Sequence, residues 1–223
     1  MSKFIVDIHE FITLIKVAGA TASKDKKDPY HSGVLLMKND NQLLGVGFTP
    51  DVSVGAYSVP LSGTFDSPVI LPAHTLGVIT AFLNNIGSQD IEEITVGATG
   101  SGFLHFQAPG ARLEIAGIEQ GEYLLPDALD TLKGITAKNK VVDPDTEEPL
   151  DSGARFNLGK KGYKVLSSLA NVLGDVSLIP TAHKASWVML DSPSTPNWNG
   201  AIMGNVYPIE YPVDSVAVPL FDN

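Results

Sequence analysis

The sequence contains no cysteine. Disulfides and thiolate-ligated zinc are therefore excluded, and the usage fits a reducing cytoplasm. Charge is sparse as well. Only 18% of residues are Asp, Glu, Lys or Arg, against 43% hydrophobic, a balance that fits a globular chain rich in sheet. Long apolar runs are missing: stretches such as Val34–Met37 fall far below the roughly 20 residues that span a bilayer. The opening Met1-Ser2-Lys3-Phe4 has no apolar signal core, so no export is expected and the location is read as cytoplasmic. Chemistry-bearing motifs are lacking too. His9, His31, His74, His105 and His183 show no metal-ligand spacing, and there is no nucleophile elbow or paired acidic motif. The run GATGSG at 97–102 has the glycines of a phosphate loop but neither the following helix nor the lysine, and it reads as a hairpin turn. No catalytic constellation and no cofactor site emerge, so the chain is read as a non-enzyme.

What is present is an uneven placement of charge. The net charge of −10 opposes indiscriminate adhesion of nucleic acid to the whole surface. Yet of the 15 basic residues, Lys16, Lys24, Lys26 and Lys27 lie in or just after the first helical segment. Lys133, Lys138 and Lys140 follow Pro126, and Lys160, Lys161 and Lys164 open the last helical segment. Most carboxylates fall in strand-like stretches and linkers. An acidic chain still engages DNA when its cations share one face.

The order of elements repeats. KFIVDI reads as a strand, and residues 8–20 as an amphipathic helix with Ile8, Phe11, Ile12 and Ile15 at i, i+3, i+4 and i+7. His9, Thr13 and Lys16 share its other side. VLLMK, LLGVGF and VGAYSV follow as strands, with Asn39-Asp40-Asn41 as a hairpin turn. The series recurs with PVIL, a helix over 73–87, then EITVGA, FLHFQA and ARLEIAGI. A unit repeated at roughly 60 residues is a duplicated supersecondary element. A third copy starts at ARFNL, continues with a helix over 159–173 and ends with DVSLIP, SWVML and GAIMG. Asp127–Ile135 has helical spacing, while 139–153 has no period and reads as an acidic linker. The expected organisation is 1–126 as two repeat units, 127–152 as a helix and linker, and 153–223 as a shortened second domain with a tail from Val206.

The opening FIVDIHEFITLIKVAGATAS, the loop KDKKDPYHSGVLL, LLGVGFTPDVSV, VILPAHTLGVITAFLN and the closing EYLLP resemble the first domain of bacterial beta sliding clamps. GARFNL, KVLSSLANVLGDVSL and AIMGN resemble half of a later clamp domain. Clamp chains have three domains, so this one looks like a shortened version of bacteriophage type. The resemblance implies an α+β DNA-clamp fold of repeated β-α-β-β-β units, with helices lining a ring and sheets outside. It implies a processivity factor that encircles double-stranded DNA and tethers a DNA polymerase and clamp loader through short peptides. Self-assembly into a ring follows, a trimer if each chain supplies four units and a tetramer if it supplies three.

On this resemblance the DNA-facing residues are His9, Lys16, Lys24, Lys26, Lys27, Lys133, Lys138, Lys160, Lys161 and Lys164, with Asn84 and Asn85 as neutral neighbours that keep the attraction loose. Ala201 and Met203 stand in the strand beside the family's partner-peptide groove. Leu220 and Phe221 resemble the hydrophobic end of clamp-binding peptides, and the alternative for this tail is a last edge strand or a disordered end. Two further readings stay open: a virion structural or assembly protein, and a clamp mimic that binds replication proteins without encircling DNA.

Overall fold

The computed structural model describes residues 2–24, 32–49, 52–65, 68–99, 103–119, 154–180 and 187–208. The first repeat is β1 (Ser2–Asp7), α1 (Ile8–Thr21), β2 (Gly33–Asn39), β3 (Gln42–Thr49) and β4 (Ser53–Pro60). The short β5 (Ser62–Thr64) follows it. The second repeat is β6 (Val69–Pro72), α2 (Leu76–Gly87), β7 (Glu93–Ala98), β8 (Phe103–Ala108) and β9 (Ala111–Ala116), trailed by β10 (Ile118–Glu119). The third is β11 (Ala154–Asn157), α3 (Lys160–Leu173), β12 (Ser177–Pro180), β13 (Trp187–Asp191) and β14 (Trp198–Met203), and β15 (Asn205–Pro208) ends the described chain.

The first two repeats are interlocked. Strand β1 leaves its own unit and pairs with β7 in a sheet ordered β5-β1-β7-β8-β9, while β6 pairs with β2 beside β3 and β4. Each unit thus lends its first strand to the other, and neither can bury its apolar face alone. The third repeat is joined edge to edge: β14 runs antiparallel to β4, with Trp198 opposite Tyr57 and Ala201 opposite Val54. One sheet of eight strands results, ordered β10-β6-β2-β3-β4-β14-β13-β12.

The helices cover one side of these sheets. Asp7 caps α1, its carboxylate accepting the Glu10 N–H at 2.8 Å, as an N-cap aspartate does for an otherwise unsatisfied donor. The expected stripe of α1 is buried, but so are Leu14, Val17 and Ala18, because α1 packs on β3 and β4, where Leu14 and Ala18 meet Gly45 and Gly47, and also touches α2 and α3. Gly19 near the end of α1 meets Leu76 at the start of α2, and Gly87 at the end of α2 meets Ile8, so these two helices run antiparallel. The interlayer core holds Phe11, Leu14, Leu36, Leu43, Ile79, Leu83, Phe106, Leu169 and Trp198, all fully buried or nearly so.

Close approach of α1 to the sheet depends on glycine. A Cβ on Gly47 would overlap the carbonyl oxygen of Ala18, and one on Gly45 would come within 2.7 Å of Leu14 Cγ. At that point Thr21 ends the helix. Its carbonyl oxygen, one of those a helix leaves without an internal partner, accepts the hydroxyls of Thr49 and Ser53, both at 3.0 Å.

Several expectations change at element ends. The second helix starts at Leu76 instead of residue 73, because Thr75 first forms a turn, its N–H and hydroxyl both donating to the Pro72 carbonyl at 2.9 and 2.8 Å. Strands β5 and β10 were not expected. Residues Asn205–Pro208, read as tail from Val206, include a strand pairing with β11. The Asn39–Gln42 pair closes the expected hairpin, with Asp40 at φ 53°, and of the run GATGSG Gly97 and Ala98 belong to β7, which pairs antiparallel with β8. The stretch 127–152 and the tail end with Leu220 and Phe221 lie outside the described residues.

Candidate nucleic-acid interface

The helix layer differs in charge from the chain as a whole. Across α1, α2 and α3 stand four lysines and a single carboxylate, Glu10, in a chain of net charge −10. Lys16 is exposed on α1, and Lys160, Lys161 and Lys164 are exposed on α3. Between the lysines the exposed positions are small or neutral: Asn84 and Asn85 on α2, Ser167, Ser168 and Asn171 on α3. Amphipathic spacing produces this segregation, because Ile79, Leu83 and Ile86 on α2 and Leu169 and Leu173 on α3 face the core.

Glu10 is engaged by the sheet beneath α1. It is half-buried, and the Tyr57 hydroxyl donates to its Oε2 at 3.4 Å from below the helix. Burial first, and then the charge of Glu10 and its hydrogen bond, push the Tyr57 phenol above its ordinary value. The folded protein therefore keeps this proton at a pH where the unfolded chain loses it. The stability it contributes is complete below about pH 10 and falls as pH rises further. Urea unfolding between about pH 8 and 11 is expected to show that decline in the parent and a shallower one in Tyr57→Phe. Equal slopes would contradict the contact.

The third helix ends in a comparable arrangement. Asp175, just past α3, accepts the Ser192 hydroxyl at 2.9 Å and a hydrogen bond from Ser194. These two hydroxyls, Ser194 foremost, hold its carboxyl below the usual carboxylate range. The contact ties the end of α3 to the turn between β13 and β14.

Of the residues singled out from the sequence, His9, Lys16, Lys160, Lys161 and Lys164 are exposed on the helix layer, and Lys24 is exposed beyond the end of α1. Lys26, Lys27, Lys133 and Lys138 lie outside the described residues. Ala201 is fully buried in the middle of the eight-stranded sheet, between Val54 and Met189, and offers no surface to a peptide. Met203 is half-buried where β14 leaves the sheet, its N–H donating to the Val52 carbonyl at 2.9 Å. Sequence reasoning passed over Tyr163, which is exposed on α3 beside Lys160 and Lys164. Its signal was available, since it falls on the polar side of the helix one turn before Ser167. Among the described residues no group of three or more His, Asp or Glu could hold a metal ion, and no helix is long and apolar enough to cross a membrane.

This arrangement of helices on one side and interlocked antiparallel sheets on the other recurs in solved structures. The Caulobacter crescentus beta sliding clamp superposes with a TM-score of 0.66 at 14% identity, over 92% of this chain and 65% of that one. DNA polymerase III subunit beta from Pseudomonas aeruginosa gives 0.64 at 12% identity, over 91% and 65%. That from Thermotoga maritima gives 0.63 at 12% identity, over 99% and 68%. The fold is that of the sliding clamp. The chain spans about two thirds of the length of these clamps. No protein-family model and no curated protein sequence matches it. At such identities the sliding-clamp likeness shows the architecture alone.

Proposed function

We propose that the protein is a non-enzymatic DNA sliding clamp, a processivity factor that encircles duplex DNA and tethers replication proteins to it. One observation carries the reading: the helix layer holds four lysines and one carboxylate, half-buried and hydrogen-bonded to Tyr57, in a strongly acidic chain. Lysines in a shallow neutral field attract phosphates without reading bases, which suits a surface that slides.

A ring requires joints between chains, and the internal β4–β14 joint supports one. Both strands are the last of their repeats. The last strand of the remaining repeat, β9, is an outer strand of its sheet, and such an edge pairs readily with a second chain. The ring is a trimer if each chain supplies four helix-bearing units, the fourth at Asp127–Ile135, and a tetramer if it supplies three. Partner polymerases and loaders would dock by short peptides, as the clamp reading implies.

Changing Lys16, Lys160, Lys161 and Lys164 together to Ser tests the DNA-facing assignment. Stability should move by no more than about 0.5 kcal/mol per site, as for exposed substitutions generally. The log–log dependence of DNA affinity on salt should flatten by about one unit for each lysine that meets a phosphate. Folded variant protein with an unchanged salt slope would remove the helix layer as the DNA surface.

A further inference from the structure

Charge is not spread evenly over the three helices. Three of the four lysines stand within five residues of one another at the start of α3, α1 has only Lys16, and α2 has no charged residue. The same turn of α3 carries Tyr163, which is 59% exposed. Lys160 lies three residues before it, Lys164 directly after it and Ser167 four residues on, and all three are exposed. Residues three and four apart on a helix are neighbours, so Lys160 and Ser167 flank the ring, and Lys164 stands next to it in the same turn. The comparable apolar exposure, Val78 at 56%, stands on α2, a helix without Lys or Arg.

A surface that only needs to repel itself from firm contact with duplex would carry small neutral groups, as α2 does with Asn84 and Asn85. An exposed aromatic ring with lysines in the same helical turn has different chemistry. In a duplex the base faces are covered by their neighbours, and only phosphates and groove edges meet a protein helix. In a single strand the base faces are open, and an exposed ring stacks on them whatever their sequence while adjacent cations hold the backbone. The carboxylate-free surface of α3 selects a polyanion over an apolar or acidic protein partner.

We propose that the start of α3 is a contact for single-stranded DNA, in which Tyr163 stacks on an unpaired base and Lys160 and Lys164 hold the flanking phosphates. The proposal rests on the clamp reading and adds to it a fixed point of contact at the place where duplex gives way to single strand. The clamp would thereby distinguish a primer–template junction from uninterrupted duplex.

The probes are fluorescein-labelled oligo-dT of about ten nucleotides, a blunt duplex, and the same duplex with an oligo-dT overhang, each titrated by anisotropy at low salt. The parent is expected to bind oligo-dT and to prefer the overhang to the blunt duplex. Tyr163→Ala should weaken binding of oligo-dT and of the overhang by about tenfold, the scale of one stacked base, and leave the blunt duplex unchanged. Tyr163→Phe should retain the parental preference, because the ring and not the hydroxyl makes the contact. Circular dichroism checks that both variants fold. The proposal is overturned if Tyr163→Ala binds oligo-dT like the parent, if it weakens all three probes equally, or if the parent does not bind oligo-dT at all. In each of these cases salt-sensitive binding of the blunt duplex by the parent leaves the clamp reading standing, whereas failure of the parent to bind any probe removes both.

Discussion

Gly47→Ala is expected to lower the stability of the fold by about 3 kcal/mol, the upper part of the range for overpacking a tight interior. The new methyl group would overlap the Ala18 carbonyl oxygen and lie 2.7 Å from its carbon. Neither can yield as a flexible side chain would, since both belong to the backbone of α1. The helix would have to lift from β3 and β4. That movement strains the hydrogen bonds by which Thr49 and Ser53 hold the Thr21 carbonyl at 3.0 Å, and it opens the core around Leu14 and Phe11. Gly77→Ala serves as the control. Gly77 is exposed in the first turn of α2 with nothing within 4 Å of an added Cβ, so alanine there should stabilise by up to about 1 kcal/mol through helix propensity. Urea midpoints of the two variants should therefore move in opposite directions. A Gly47→Ala protein as stable as the parent would show that α1 does not sit where the structure places it.

Much of this fold was legible because it repeats. Three amphipathic helices and most strands follow from the spacing of Ile8, Phe11, Ile12 and Ile15, of Ile79, Leu83 and Ile86, and of Leu169 and Leu173, together with short β-rich runs between turns. The exchange of first strands between repeats was not legible. Periodicity reports which face of a strand is buried, and β1 and β6 bury the same face in either pairing. The joining of β14 to β4 escaped for the same reason, since edge pairing is made by backbone groups that every sequence has. Strands β5 and β10 have three and two residues, too few to carry a period. The extra burial of Leu14 and Val17 on α1 arises because the helix packs on β3 and β4 as well as on two helices, a tertiary circumstance. On the helix layer the lysines of α3 were legible as a cluster. The hydrogen bond to Glu10 was not recognisable, because its partner Tyr57 is 47 residues away in sequence.

The largest effect expected of the clamp reading is topological. A ring around DNA leaves only by opening or by sliding off an end, so its residence on a circle should far exceed its intrinsic affinity. The affinity itself should be low and salt-sensitive, because the helix layer presents exposed lysines with neutral polar residues between them. The measurement is retention on nicked circular plasmid, with protein loaded in the presence of a bacterial clamp loader and ATP, isolated by gel filtration at moderate salt, and followed before and after cutting the plasmid once. The account predicts that protein stays with the circle through filtration and is lost from the linear form within the time of sliding. Equal retention on circular and linear DNA, or no retention on the circle, would contradict it.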